Sequence, residues 1–519
     1  MELCKATLHR KQQKGEAVSQ ITLDDDYNVP DYRPDIVKIL KEKGELRFDE
    51  VKGENGAVWL KGSLIFKVLY RNDKEEGKIS SLRGEIPFQE KLNLDGVMGN
   101  EALKVKGEIE DVTVGVINSR KLNVRAVVLL KVQAEEEVDE ELTCGVKDAE
   151  QYEQDITQKE ALRLLLSRRD SCRQKSEVVL PSSKPNVREI LWRSLELRNV
   201  DGRLKDGNVA VTGEILLSVL YSEEEGERLQ WFETTIPLEG AVECGITEAD
   251  VICQVKARPT TMELEVKPDY DGEERIFVLE LVLELDMSVW KEEQFELLSD
   301  IYSLQKQITP VWEMGRVEHL LIKNSAKGRI TEQMELTDGQ EKILQICACE
   351  GNIVIEKKEM TTEGLQVEGV VNVELLYITT EDDMPVGNIR EVYPFSQVVE
   401  VPGQEGEIRM DAEASLEQLS AAMLDQEHIE VKAVIRIDLL AFREEEIQNI
   451  KEIEEEPLDM EKLQEAPGLI GYIAREGDSL FRIARENHTT IRDIMEANGL
   501  KEEKLNAGDK LLIVKRIFS

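Results

Sequence analysis

Histidine is scarce in this chain, with four among 519 residues, and His9, His319, His428 and His488 each stand in a different segment. None falls in a His-Glu-x-x-His or Cys/His metal spacing, and no Gly-x-Ser-x-Gly elbow or Gly-x-x-x-x-Gly-Lys-Ser/Thr loop occurs, so the usual patterns for metal hydrolysis, acyl transfer and phosphate binding are missing. Cations are also in deficit: 66 Lys+Arg face 106 Asp+Glu, a formal charge of −40. That balance excludes nucleic acid as the main ligand, because phosphate binding needs clustered cations. So many acids also make any pair of neighbouring carboxylates uninformative. The seven cysteines are odd in number and scattered, with no Cys-x-x-Cys, which predicts reduced thiols. Cys347-x-Cys349 reads as two structural thiols on one face of a strand. Apolar runs such as 126–130 are strand-sized, far short of the roughly 20 residues that span a bilayer, and the first residues hold no apolar stretch of a secretory signal. The expectation is a cytoplasmic protein without a transmembrane segment, catalytic group, metal or cofactor.

What is present is repetition. Leu60-Lys-Gly62-Ser-Leu64-Ile-Phe-Lys-Val68-Leu69-Tyr70 returns at Val211 to Tyr221 around Gly213, and at Val367 to Tyr377 around Gly369, always with eight residues from Gly to Tyr. A proline follows each glycine by 25, 24 and 25 residues, at Pro87, Pro237 and Pro394. Upstream, Pro30-Asp-Tyr-Arg-Pro34 matches Pro181-Ser-Ser-Lys-Pro185, whereas the third copy has lost both prolines. Each copy closes on an alternating stretch that starts at Leu122, Phe277 and Ile429. Period two marks half-buried strands, and a unit of this size can own a core. The chain therefore reads as multidomain and mainly β, with repeats at 1–150, 172–305 and 317–442. Acidic turns at 72–77 and 223–226 join strands within them. The repeated glycine reads as a packing or bulge position, and the repeated tyrosine as a packing residue with its hydroxyl at the rim.

From Arg443 to Pro467 the alternation fades and acid accumulates, which predicts an extended spacer over 443–467. Beyond it the charge changes: residues 469–519 carry nine Lys/Arg and eight Asp/Glu, against 57 cations and 98 acids in the other 468 residues, a net −41 there. Leu480, Ile483 and Ala484 share one helical face, as do Ile491, Ile494 and Met495. Asp478 is placed as the first N-cap, Thr490 with Asp493 as the opening of a second helix, and Asn498-Gly499 as its left-handed stop. The prediction for 468–516 is a small strand, helix, helix, strand module.

Gly477-Asp478-Ser479-Leu480, Ile483-Ala484, Asn498-x-Leu500 and Gly508-x-x-Leu511 give this module a clear resemblance to the LysM domain, known chiefly for binding N-acetylglucosamine glycans. Lys515 stands where many members have proline. The resemblance implies a βααβ fold and a ligand or partner groove formed by Gly477, Asp478, Ser479, Leu480, Asn498, Leu500, Lys501 and Leu505, with apolar support from Tyr472. The three upstream repeats resemble the SPOCS domain of spore-coat proteins in endospore-forming Firmicutes, most clearly in copies one and two. Tandem SPOCS domains followed by LysM resemble the SipL-type family of spore coat morphogenetic proteins. That resemblance implies a non-enzymatic scaffold in the mother-cell cytoplasm, docked through LysM onto a SpoIVA-like coat ATPase and other coat proteins at the forespore surface. The alternative it leaves open is a peptidoglycan binder.

Overall fold

The computed structural model describes residues 2–515 except 75–77, 100, 148, 225–227, 338, 382–383, 404–405 and 466. The tips of the two expected acidic turns, Ala466 and residue 516 thus lie outside the described residues.

Alternation decides the architecture. In the first repeat, β1 (Leu3–Asn28), β2 (Ile36–Glu54), β3 (Ala57–Asn72), β4 (Ile79–Asn93), β5 (Ala102–Asn118) and β6 (Lys121–Val146) form two antiparallel three-stranded sheets, ordered β1-β6-β5 and β2-β3-β4. The two best-patterned strands become the middle ones. Leu60, Leu64, Phe66, Val68 and Tyr70 of β3 join Leu122, Val124, Ala126, Val128, Leu130 and Val132 of β6 in one core between the sheets. Each fully buried aliphatic or aromatic side chain of this kind contributes about 1.5–3 kcal/mol, which is what holds two narrow sheets face to face. The second repeat repeats the arrangement with β7 (Glu153–Val179), β8 (Val187–Lys205), β9 (Asn208–Glu223), β10 (Leu229–Glu243), β11 (Val251–Pro268) and β12 (Glu274–Tyr302). The third does so with β13 (Lys306–Glu335), β14 (Ile343–Thr361), β15 (Gly364–Thr379), β16 (Val386–Val399), β17 (Glu407–Met423) and β18 (His428–Pro457).

The repeated residues have structural reasons. Gly62 and Gly369 lie beside β-bulges of the neighbouring strand, and a Cβ there would sit 2.3 Å from the Arg47 carbonyl and 2.2 Å from the Val354 carbonyl. Pro87, Pro237 and Pro394 fall on β4, β10 and β16, each at the edge of its sheet, where a missing N–H discourages a further strand. The tyrosines reach past the rim: all three are buried, and the hydroxyls of Tyr70 and Tyr221 donate to the carbonyls of Pro34 and Pro185 at 3.2 Å. Arg120 donates to the carbonyls of Val29, Pro30 and Arg33, and its counterpart Arg275 to those of Pro181 and Lys184. In the third repeat, where the prolines are gone, the corresponding position is Glu427, paired at 3.0 Å with Lys342.

The segments expected to separate the repeats, 151–171 and 306–316, are strand instead from Glu153 and from Lys306 onward, and so is the expected spacer as far as Pro457. Arg443 to Pro457 pairs with His319 to Lys306, and the first 14 residues of β1 pair likewise with the end of β6. Bulges at Val311/Trp312 and Leu320/Ile322 break the period of two, which is why this strand does not read as one. Its acids face outward while Ile447 and Ile450 are buried. The extended hairpins β1–β6, β7–β12 and β13–β18 form a common stem. Leu8, Leu142, Ala161, Phe295, Leu297, Val317 and Ile447, drawn from all three repeats, make one cluster. Asn449 stitches it further, its side-chain oxygen accepting from the Thr143 amide at 2.9 Å while the Thr143 hydroxyl donates to the Ile450 carbonyl at 2.6 Å.

Away from the stem, equivalent residues of the three repeats meet again: Leu69, Leu220 and Leu376 join Leu191, Trp192 and Cys347 in a junction cluster. Beside it Lys41, fully buried, pairs with Glu350 at 3.5 Å and with Glu374. Glu350 also receives Lys43 at 2.7 Å and the Trp192 indole N–H at 2.9 Å. Burial alone would raise the Glu350 carboxyl, but Lys41 and Lys43 outweigh it and hold the group down at about 2. Cys347 and Cys349 do not share a face, as their spacing suggested; a bulge at Ile346/Ala348 sends Cys347 to the junction and Cys349 to the third core. Burial pushes both thiols up to about 12, and the seven cysteines stand unpaired.

Candidate functional site

After β18 the chain forms α1 (Met460–Glu465), β19 (Leu469–Ile473), α2 (Leu480–Glu486), α3 (Ile491–Asn498) and β20 (Lys510–Val514). β19 and β20 pair antiparallel, and the helices pack on one face through Leu480, Phe481, Ile483, Ala484, Ile494, Leu511 and Ile513. The apolar spacing read from the sequence thus encloses a small core.

The cap of α2 is one residue later than expected. Ser479 is extended and its Oγ accepts from the Arg482 amide at 3.1 Å. Asp478 is occupied elsewhere, accepting from the Tyr472 hydroxyl and the Arg475 amide at 2.8 Å each, and these two donors hold its carboxyl below the usual range. Gly477 supplies the turn with a φ of 88°. The second helix opens as expected, Thr490 Oγ1 accepting from the Asp493 amide at 3.0 Å, and stops at Gly499 with a φ of 65°.

The expected groove lies between two loops, 477–480 and 498–505. Of the eight residues expected there, Leu480, Leu500 and Leu505 belong to the core. Asn498 is a clamp: its amide donates to the carbonyls of Ile494 and Leu512, and its oxygen accepts from the Leu512 amide, all at 2.7–2.8 Å. Asp478 fixes the first loop. That leaves Gly477, Ser479 and Lys501 exposed, with Ser479 also engaged as the cap of α2.

No sequence pattern marks where this module sits. Tyr302, at the end of β12 and 5% exposed, packs edge-on against Phe481 with ring centroids 5.1 Å apart. Its hydroxyl donates to the Thr489 carbonyl at 2.9 Å, Arg485 pairs with Asp300, and Leu304 lies against the module core. The stem tip therefore covers the turn between α2 and α3 and leaves the groove loops open. Tyr302 ends an alternating strand more than 170 residues upstream, and only the fold reveals its second role.

Elsewhere, a groove of about 510 Å³ lies between the second and third repeats, but its charges satisfy one another, Lys256 lying 2.7 Å from Asp411 and 2.9 Å from Glu413. The histidines stay apart, with His9 on Asp139, His319 on Glu445 and His428 on Asp425. Among the described residues no group of three or more His, Cys, Asp or Glu is arranged to hold a metal, and no helix is long and apolar enough to cross a membrane.

Comparison with known families agrees with this division. The family described as SipL, SPOCS domain matches residues 35–117, 186–267 and 342–424, which is the second to the fifth strand of each repeat, and the LysM domain matches residues 472–514. Neither the curated proteins nor the solved structures hold a match to the chain. The leading and closing strands that build the stem lie outside the matched segments. The matched domains are binding and morphogenesis domains, none of them catalytic. The chain is thus built from three SipL/SPOCS domains and a C-terminal LysM domain.

Proposed function

We propose that this protein is a non-enzymatic scaffold of spore coat assembly, in which the three SPOCS domains form one rigid acidic body and the LysM domain docks onto a coat protein at the forespore surface. SipL/SPOCS domains suggest a role in spore coat morphogenesis and contacts with coat proteins. The observation that carries the reading further is the placement of the LysM domain: its α2–α3 turn is covered by the stem tip while the loops bearing Ser479 and Lys501 stay exposed. A body of this charge resists random self-association and favours partners with basic patches, and a coat morphogenetic ATPase of the SpoIVA type is the expected receptor. The mother-cell cytoplasm is the expected compartment.

The second reading, peptidoglycan binding, is favoured by the LysM match itself. One experiment separates them. A fluorescent fusion of the full chain in sporulating cells should ring the forespore, and Ser479→Asp with Lys501→Glu, the first keeping an oxygen to cap α2, should leave it diffuse while the purified variant keeps its thermal transition. If the purified full chain binds isolated peptidoglycan and the double substitution abolishes that binding without changing the ring, the glycan reading replaces this one.

A further inference from the structure

We propose that Lys41, Glu42 and Lys43 on β2 are the specificity determinants that close the body, selecting the third repeat as the partner of the first and rejecting the charges that the other repeats carry at the same places. The three repeats follow one another around a ring. β4 of the first lies against β8 of the second, β10 of the second against β14 of the third, and β16 of the third against β2 of the first. Two of these interfaces have chain to hold them, since β6 leads into β7 and β12 into β13 within a few residues. The interface of the third repeat with the first has none, so only non-covalent contacts choose the partner there.

At that interface three consecutive residues each meet an opposite charge. Lys41 pairs with Glu374, Arg390 donates to the Glu42 carboxylate at 3.1 Å and to its carbonyl at 2.9 Å, and Lys43 meets Glu350 at 2.7 Å. The strand registers identify the counterparts in the other repeats. Lys41, Trp192 and Ala348 lie opposite Leu69, Leu220 and Leu376, and Arg83, Glu233 and Arg390 lie opposite Lys67, Ser218 and Glu374. Where the first repeat meets the second, Arg193 therefore stands in the place of Glu42, and Arg83 in that of Arg390. Burial, and then the like charge of Arg83, lower the Arg193 guanidinium, the reverse of a pair. Where the second repeat meets the third, the counterparts are Cys349 and Glu233, which form no ion pair. Presenting the second repeat to β2 would set Glu233 against Glu42 and leave the buried Lys41 facing Ser218. Presenting the first would set Lys67 against Lys41. Only the third repeat supplies an acid and a base in the order that β2 requires.

Thiol labelling of the native full chain tests this, because Cys347 is buried in one cluster with Leu69 of the first repeat and reports the opening of this interface. Glu42→Arg gives β2 the charge that Arg193 carries, and Arg390→Glu gives β16 the charge that Glu233 carries. Each should speed alkylation of Cys347 several-fold, read by mass spectrometry, while Cys172 in the second core keeps its rate. Together the two substitutions should return Cys347 to within about threefold of the unmodified rate. Arg33→Glu, which breaks a 3.0 Å ion pair with Glu189 between the first and second repeats, should change that rate by less than about twofold. The proposal is overturned if neither reversal changes Cys347 labelling, if the double variant labels as fast as the faster single one, if Cys172 accelerates equally, or if Arg33→Glu is as effective as they are.

Discussion

Replacing Glu350 by glutamine should loosen the junction of the three SPOCS domains more than any other single polar substitution in the body. Glu350 is 6% exposed and compensates Lys41, which has no solvent access. Its oxygens lie 3.5 Å from Lys41, 2.7 Å from Lys43 and 2.9 Å from the Trp192 indole nitrogen, so groups from all three repeats converge on one carboxylate. Glutamine keeps the shape and one acceptor but removes the charge, leaving Lys41 to Glu374 alone. Because Lys41 keeps Glu374, the cost falls below the roughly 3–5 kcal/mol of a fully orphaned buried charge, at about 1–3 kcal/mol. Removing the cation as well should recover part of that loss: Lys41→Met in the Glu350→Gln background leaves Glu374 with Arg390 at 2.8 Å and Asn388 at 2.7 Å. Calorimetric unfolding of the full chain should show the single variant clearly destabilised and the double variant at least about 1 kcal/mol less so. A shift below about 1 kcal/mol for Glu350→Gln, or strictly additive effects in the double variant, would refute the idea that this centre joins the repeats.

The same centre sets a pH response. Because the Glu350 carboxyl is held at about 2 in the folded chain, its stabilisation is complete above the ordinary value of 4.5 and is lost as pH falls from 4.5 toward 2, which acid titration of the calorimetric transition will read. Gly62→Ala and Gly369→Ala should each cost about 1–3 kcal/mol through overpacking, whereas Gly213→Ala, whose nearest atom is 3.1 Å away, should cost less; urea midpoints give the order. Tyr70→Phe and Tyr221→Phe should each lose about 1 kcal/mol with the bond to the proline carbonyl, measured the same way. Asn498→Ala should cost the LysM domain about 1–3 kcal/mol, seen as faster exchange at Leu512, while Lys501→Ala should leave it unchanged.

The repeats were legible because their middle strands obey a strict period of two and carry fixed Gly, Tyr and Pro offsets. The LysM core was legible because its helices keep their apolar residues on one face. The stem was not. Its strands contain bulges at Val289/Trp290, Leu298/Asp300, Val311/Trp312 and Leu320/Ile322, and each bulge inverts the apolar register, so the segments read as linkers. At the groove, residue type alone did not separate ligand-facing positions from structural ones. Asn498 and Asp478 look like ligand groups in a sequence, yet both are consumed by backbone partners, and the mounting role of Tyr302 depends on contacts that no local pattern encodes.

The weak start of the third repeat shows how such losses travel together. In the first two repeats one loop is held twice, by a tyrosine hydroxyl from the middle strand and by an arginine that leads into the closing strand. The arginine is useful only while the loop turns its carbonyls inward, and the two prolines favour that turn. Once the prolines are gone, a guanidinium in the same place faces no convergent carbonyls, and an acid that pairs with a surface lysine serves as well. Glu427 with Lys342 is that replacement. Tyr377 nevertheless remains, because its ring is a core element whatever its hydroxyl does, buried among Leu375, Val373 and Ile389. The repeat therefore keeps what fills its sandwich and changes what fastens its loop, which is why its strand motif stayed recognisable while its entry did not.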